Sequence, residues 1–351
     1  MTETTVQVRD TSWWSTLLRQ STSAAGLTII LSLIILVIAT INSGPFILIN
    51  TVVTGGMWAL MAAGLSLVFG VMNVVNFAHG ELFMIGTLAA YFVFTPLSGA
   101  LDENSPQLLV LLAPFLGIFA SLIAGALLGV IMEVLVFRQL RKRTREQWVM
   151  NAFLLTVGIS VILINGVQLI WGTNFKGITR YWDLPPIQFG PDVSVSVDRA
   201  VAFTLAMITM AIFWFFLRRT RTGRAIRAVA QDENGARMVG IDLNGIQVLT
   251  MSLSSALAAL AGGSLLFLFP SYPTVGVKPL YIAWYVVIIA GLGNVAGALV
   301  GGFIVALLNT LTSYYIGVGW EDVIPTAFIM LILLVKPSGL FGSEVKGIHE
   351  Q

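Results

Sequence analysis

Long apolar runs alternate with short polar interruptions along this chain, and the runs have lengths that suit a bilayer. Residues 24–41 form the first run, closed by a turn at Asn42, Ser43, Gly44 and Pro45. From Phe46 to Ala78 no residue is charged. That predicts a helix ending near Gly70, a polar break at VMNVVNFAHG (71–80), and a further helix from Glu81 to Leu97. Residues 107–137 are apolar but for Glu133, and 148–171 and 200–217 predict two more spans. Residues 243–277 are charge-free and end in a turn marked by Pro270, Tyr272, Pro273 and Gly276. Residues 279–320 are also charge-free but too long for one crossing. They divide best at GLGNVAG (291–297), into a short segment and a longer glycine-rich helix. A last short run, 323–335, is stopped by Lys336, Pro337, Ser338 and Gly339.

The pattern predicts an all-α polytopic membrane protein of about eight to ten membrane segments, some short or broken, with ten the preferred count. A membrane barrel would show short alternating segments instead. Composition agrees: the 351 residues are 57% hydrophobic and 10% charged, with mean hydropathy +0.89, whereas a soluble domain is about 25% charged. There is no cysteine, and the two histidines are His79 and His349, so thiolate chemistry is excluded and metal or acid–base chemistry has little to use. We expect no catalytic residue, no bound metal, no cofactor in this chain and no nucleic-acid partner.

Charge orients the spans. With the N-terminus inside, 15 of the 19 lysines and arginines fall on the cytoplasmic side, in the tail, RQLRKRTR (138–145), the 218–242 stretch and the C-terminus. Lys176, Arg180, Arg199 and Lys278 fall outside. The positive-inside rule then places both termini in the cytoplasm. The expected organisation is a cytoplasmic tail at 1–23, a membrane domain at 24–336 and a cytoplasmic tail at 337–351. Within the membrane domain, 172–199 is a periplasmic loop and 218–242 a cytoplasmic one. VSVSV (193–197) inside the former has the alternation of a short strand.

The 218–242 loop holds six arginines against three acids. Asp232 is placed to cap a short helix running to Val239, with Asp232 and Glu233 at its positive end and Gly240 closing it in left-handed geometry. A basic loop is a topology signal on composition alone; a capped helix there is also a suitable knob for a cytoplasmic partner. Asn73, Asn76, His79 and Glu81 lie at the break between two helices. They are either a gate element at membrane depth or a hydrogen-bonded turn at the cytoplasmic interface. Gly291, Gly293 and Asn294 form the second break, and Gly293, Gly297 and Gly301 recur at four-residue spacing, as close helix packing requires. Gly125 and Gly129 suggest packing too. Glu133 is expected to pair with Arg138 or snorkel, and Asn165 and Gln168 to bond between helices.

Four stretches together resemble one family. GRAIRAVAQDENGARMVGID (223–242) is similar to the cytoplasmic loop of the branched-chain amino acid, LivH-like permeases of ABC importers. GLSLVFGVMNVVNFAHGELFMIG (64–86), AGLGNVAGALVGG (290–302) and KPSGLFG (336–342) resemble further motifs of that family, in order, over roughly residues 46–342. The resemblance implies a type II-like importer membrane domain that carries branched-chain or neutral amino acids by alternating access. It implies a second, LivM-like permease, two cytoplasmic ATPases holding ATP and Mg, and a periplasmic solute-binding protein, all in a bacterial inner membrane. It maps an ATPase-coupling helix onto Gln231, Asp232, Glu233, Asn234, Gly235, Ala236, Arg237, Met238, Val239 and Gly240. Consistently, the chain has no GxxxxGK[ST] phosphate loop. Permeases for urea or short amides fit the same motifs. An ion-coupled carrier would want ionisable groups at mid-membrane, and an intramembrane enzyme a catalytic constellation; the charge-free spans offer neither.

Overall fold

A computed structural model describes residues 24–101, 105–144, 147–188 and 194–342. The 1–23 tail, Asp102, Glu103 and the last nine residues lie outside the described part. Helix α1 is Ala24–Ser43, α2 Phe46–Met72 and α3 His79–Gly99. Helix α4 (Gln107–Met132) runs on through a π-helical turn at Glu133–Phe137 into α5 (Arg138–Arg143). Then follow α6 (Trp148–Trp171), a two-stranded ribbon of β1 (Ile187–Gln188) and β2 (Ser194–Val195), and α7 (Val197–Arg219). The interruption after α7 holds α8 (Arg221–Gln231) and α9 (Glu233–Met238), and beyond it lie α10 (Leu243–Ser264), α11 (Val277–Ala290), α12 (Val295–Tyr315) and α13 (Val323–Val335). Among the described residues nine helices are long and apolar enough to cross a membrane, and α11 is a shorter apolar helix of 14 residues. At about 1.5 Å per residue it reaches about 21 Å, short of a full crossing. Predicted and observed segments correspond one to one.

Helices α2 and α10 are the centre of the bundle, and both are rich in small residues. Gly64 lies against Ser254 where they cross. Helix α12 leans on α2, with Gly302 against the Ala59 backbone and Gly55 against Phe303. Helix α4 leans on α10 in the same way, Gly125 against Ser255 and Ala259, Gly129 against Met251. Close backbone approach replaces the hydrophobic effect as the source of contact when lipid is the alternative solvent. The expected packing role of Gly125 and Gly129 is thus met. Of the 293, 297 and 301 glycines only Gly301 packs on a neighbouring helix, against Val286 of α11, since Gly293 precedes α12 and Gly297 meets the Ala290 carbonyl and Phe341. Helices α1 and α6 present mostly exposed apolar side chains, as lipid-facing helices do.

Several boundaries moved. Residues 138–143 are helix rather than loop, and this changes the partner of Glu133. The fully buried Glu133 pairs with Arg141, not Arg138. The π-turn absorbs one residue, so a spacing of eight behaves like seven and brings both side chains to one face two turns apart. Helix α10 stops at Ser264, and residues 265–276 fold back irregularly before α11. Asn165 donates to Val161 O within its own helix, at 2.7 Å, rather than across to another.

The described residues of the 172–199 segment are tied to the bundle through Tyr181, Trp182 and Asp198. Asp198 Oδ1 accepts from the Tyr181 amide at 2.6 Å and from Trp182 at 3.3 Å. Trp182 Nε1 donates to Leu111 O of α4 at 3.0 Å, and the Tyr181 hydroxyl to Gly263 O of α10 at 2.5 Å. Burial, with the Asp198 carboxylate alongside, pushes the Tyr181 hydroxyl far up, so it stays a donor. Strand β2 falls within the alternating stretch, paired antiparallel to β1.

Candidate functional site

The loop expected to dock a partner has two helices rather than one. Thr220 caps α8, its Oγ1 accepting from Gly223 N at 2.9 Å. A side chain at Gly223 would strike the last carbonyls of α7, so only glycine lets α8 fold back there. Ile226 and Val229 are buried while Arg221, Arg224 and Arg227 are exposed. Asp232 caps α9, its Oδ1 accepting from Asn234 N at 3.0 Å. The helix ends as expected: Gly240 takes φ +83, and Ile241 N reaches back to Ala236 O at 3.1 Å, which satisfies a terminal carbonyl. Asp242 then caps α10 through Asn244 N and Gly245 N.

Helix α9 therefore stands on caps at both ends, anchored by Ala236, its one buried residue. Its tip is apolar and open, with Met238 87% and Val239 77% exposed. Arg237 and Glu233 form an exposed pair at 3.5 Å. A cleft of about 650 Å³ separates α9 from α5, lined by Arg138, Arg141, Lys142, Glu233 and Arg237 among others. Gln231, Glu233, Asn234 and Gly235 complete the stretch on or beside α9.

In and just after the break at 73–78, Asn73 is exposed while Asn76, His79 and Glu81 are buried. Asn73 ends α2 in left-handed geometry, φ 52, with its amide on Phe69 O. The chain then turns back, so that His79 Nε2 donates to Met61 O, in the middle of α2, at 3.0 Å. Asn76 Oδ1 accepts from Ala78 N at 3.0 Å. The break is held to α6 by Thr156 Oγ1, which accepts from Phe77 N at 3.1 Å, and by Ser160, which donates to Glu81 Oε1 at 2.8 Å. Asn76 Nδ2, His79 Nδ1 and Glu81 Oε2 are buried with no protein partner. Gly80 meets Gly276 backbone to backbone, so the starts of α3 and α11 touch.

At the second break Gly291 and Gly293 take φ +84 and +80. Asn294 caps α12 through Gly297 N at 2.9 Å and donates to Phe341 O at 2.8 Å. Leu340 N bonds Ile289 O at 2.8 Å. The KPSGLFG stretch is thereby a strap holding the GLGN break. Gly293 also lies against Gly70 near the end of α2. The structure thus brings Gly291, Gly293 and Asn294 to the Asn73 end of α2, and leaves Asn76, His79 and Glu81 deeper, against α6 and α11. Sequence inspection missed α8, Thr156, Ser160 and Arg141. The apolar spacing of Ile226 and Val229 among arginines was the available signal for the first; the other three meet their partners only through tertiary folding.

The family model described as "Branched-chain amino acid transport system / permease component" matches residues 47–334. The chain belongs to that family, as a permease subunit of an amino-acid ABC importer. It is 31% identical over 297 residues to the high-affinity branched-chain amino acid permease LivH of Salmonella typhimurium, covering 84% of this chain and 94% of that one. To BraD of Pseudomonas aeruginosa it is 31% identical over 301 residues, with 84% and 94% covered. The ribose import permease RbsC of Escherichia coli is 26% identical over 326 residues, covering 88% and 91%. No solved structure matches.

Proposed function

We propose that this subunit carries branched-chain or other neutral amino acids across the bacterial inner membrane, with Gln231–Gly240 as its contact to an ATPase. The second, LivM-like permease, the two ATPases and the periplasmic solute receptor are the partners this requires. Both termini and the 218–242 loop face the cytoplasm, and the 172–199 loop the periplasm.

The observation that carries the docking role is the tip of α9. A methionine and a valine exposed beside Arg237, on a helix capped at both ends, form a rigid apolar knob with a charged rim. Such a surface suits a groove on a soluble partner. Helix α8 connects the knob to the bundle, since Ile226 and Arg227 share a cavity with Gly293 and Asn294. In this scheme ATP-driven motion of α9 reaches the second break through α8. The two breaks then open to one side in turn.

The test uses the assembled importer in proteoliposomes. Arg237→Glu and Met238→Glu should uncouple receptor-stimulated ATP hydrolysis from solute uptake or release the ATPases. Unchanged uptake and assembly in both variants would sink the docking role. Leucine-like, neutral polar and amide ligands offered to the receptor separate the amino-acid reading from the urea and amide one.

A further inference from the structure

A cavity of about 420 Å³ opens beside the end of α2, between α7, α8 and the start of α12. Arg218 and Arg227 line it and no acidic residue does. Neither arginine has an ion pair with an acid among the described residues, while the Arg218 guanidinium lies 5.0 Å from the Trp214 ring centroid. Val295 and Ala296, the first two residues of α12, form part of the wall. Their amides have no carbonyl beneath them within the helix, and the positive end of a 21-residue helix faces the same space.

We propose that this cavity is a binding site for a phosphate-type oxyanion. Two guanidiniums supply fork-like donors, the α12 amides supply neutral ones, and no carboxylate competes. The ligand is either the headgroup of an anionic phospholipid or a free phosphate of the cytoplasm; the chemistry is shared. Trp214 and Leu217 of α7 line the cavity beside Arg218, as they would line an acyl chain at the interface. The leaflet follows from the proposed orientation; the anion chemistry does not depend on it. A bound oxyanion would join α8 to the 291–294 break, so occupancy would stiffen the path by which α9 acts on the membrane domain.

The complete importer in nanodiscs of phosphatidylcholine, with and without phosphatidylglycerol, provides the test. Retained lipid is read by native mass spectrometry, and inorganic phosphate is titrated separately in the neutral nanodiscs. Arg218→Gln and Arg227→Gln should each weaken the bound probe about tenfold. Val295→Pro removes one amide donor while keeping a residue tolerated at the first helical position, and should weaken it without any change of charge. Arg221→Gln, outside the cavity, should leave it unaffected. Selective retention of phosphatidylglycerol identifies the lipid as source, and saturation by phosphate alone identifies the free anion. Equal loss in Arg221→Gln would mean diffuse attraction and overturn the site. So would retention of both probes by the Arg218→Gln/Arg227→Gln variant, or loss of the ATPases from that variant, which would make an ATPase segment the occupant.

Discussion

Gly86 lies against the backbone of Ala259, where a methyl group would displace a whole helix rather than a side chain. Overpacking of this kind costs about 1–3 kcal/mol or more. Gly86→Ala should therefore lower the thermal midpoint of the purified protein sharply, while Gly158→Ala, which meets nothing within 4 Å, should not. Tyr181 is the other residue with a clear single role. Its hydroxyl satisfies the Gly263 carbonyl at the end of α10, and Tyr181→Phe leaves that acceptor buried and unpaired. We expect a loss of about 1–3 kcal/mol in denaturation experiments. Because the phenol stays protonated, that contribution should be the same across neutral and mildly alkaline pH.

Capping and end-of-helix contacts hold individual elements in place. Asp232→Ala removes the cap of α9 and should cost about 1 kcal/mol locally. Hydrogen exchange across 233–238 would speed up with little change elsewhere; unchanged exchange there would show that packing of Ala236 alone holds the helix. At the other basic end, Arg141→Leu strands the buried Glu133 carboxylate, at a cost of about 3–5 kcal/mol. Glu133→Gln made in the same chain should recover much of it, which a simple packing defect would not. The cap of α9 was legible in the sequence because Asp232 and Gly240 act within a few residues of themselves. The pairing of Glu133 was not, since it needs a π-turn that no local pattern announces.

Two central helices, α2 and α10, each receive one glycine-bearing helix and are each followed by an irregular connection, 73–78 into α3 and 265–276 into α11. Most of the backbone in both connections is covered by protein. Orientation of the whole molecule is open to a direct test, because the chain contains no cysteine. A single cysteine at Met238 should react with an impermeant reagent only from the cytoplasm, and one at Leu184 only from the periplasm. Reaction of both from one side would refute the proposed topology.

The positions of the apolar helices, the caps of α9 and the existence of two breaks were determined by the sequence alone. All three are short-range: apolar run length, side chains bonding their own helix end, and glycine or asparagine at left-handed positions. Only the tertiary structure decided what covers each break, that KPSGLFG straps the 291–294 turn, and that α8 shares a cavity with it. Those depend on which helices approach one another. In an almost uniformly apolar chain the hydrophobic pattern says where a helix crosses and nothing about its neighbour. Neighbours are chosen by backbone fit and by a few buried polar groups, such as Ser160 with Glu81, whose partners are distant in sequence.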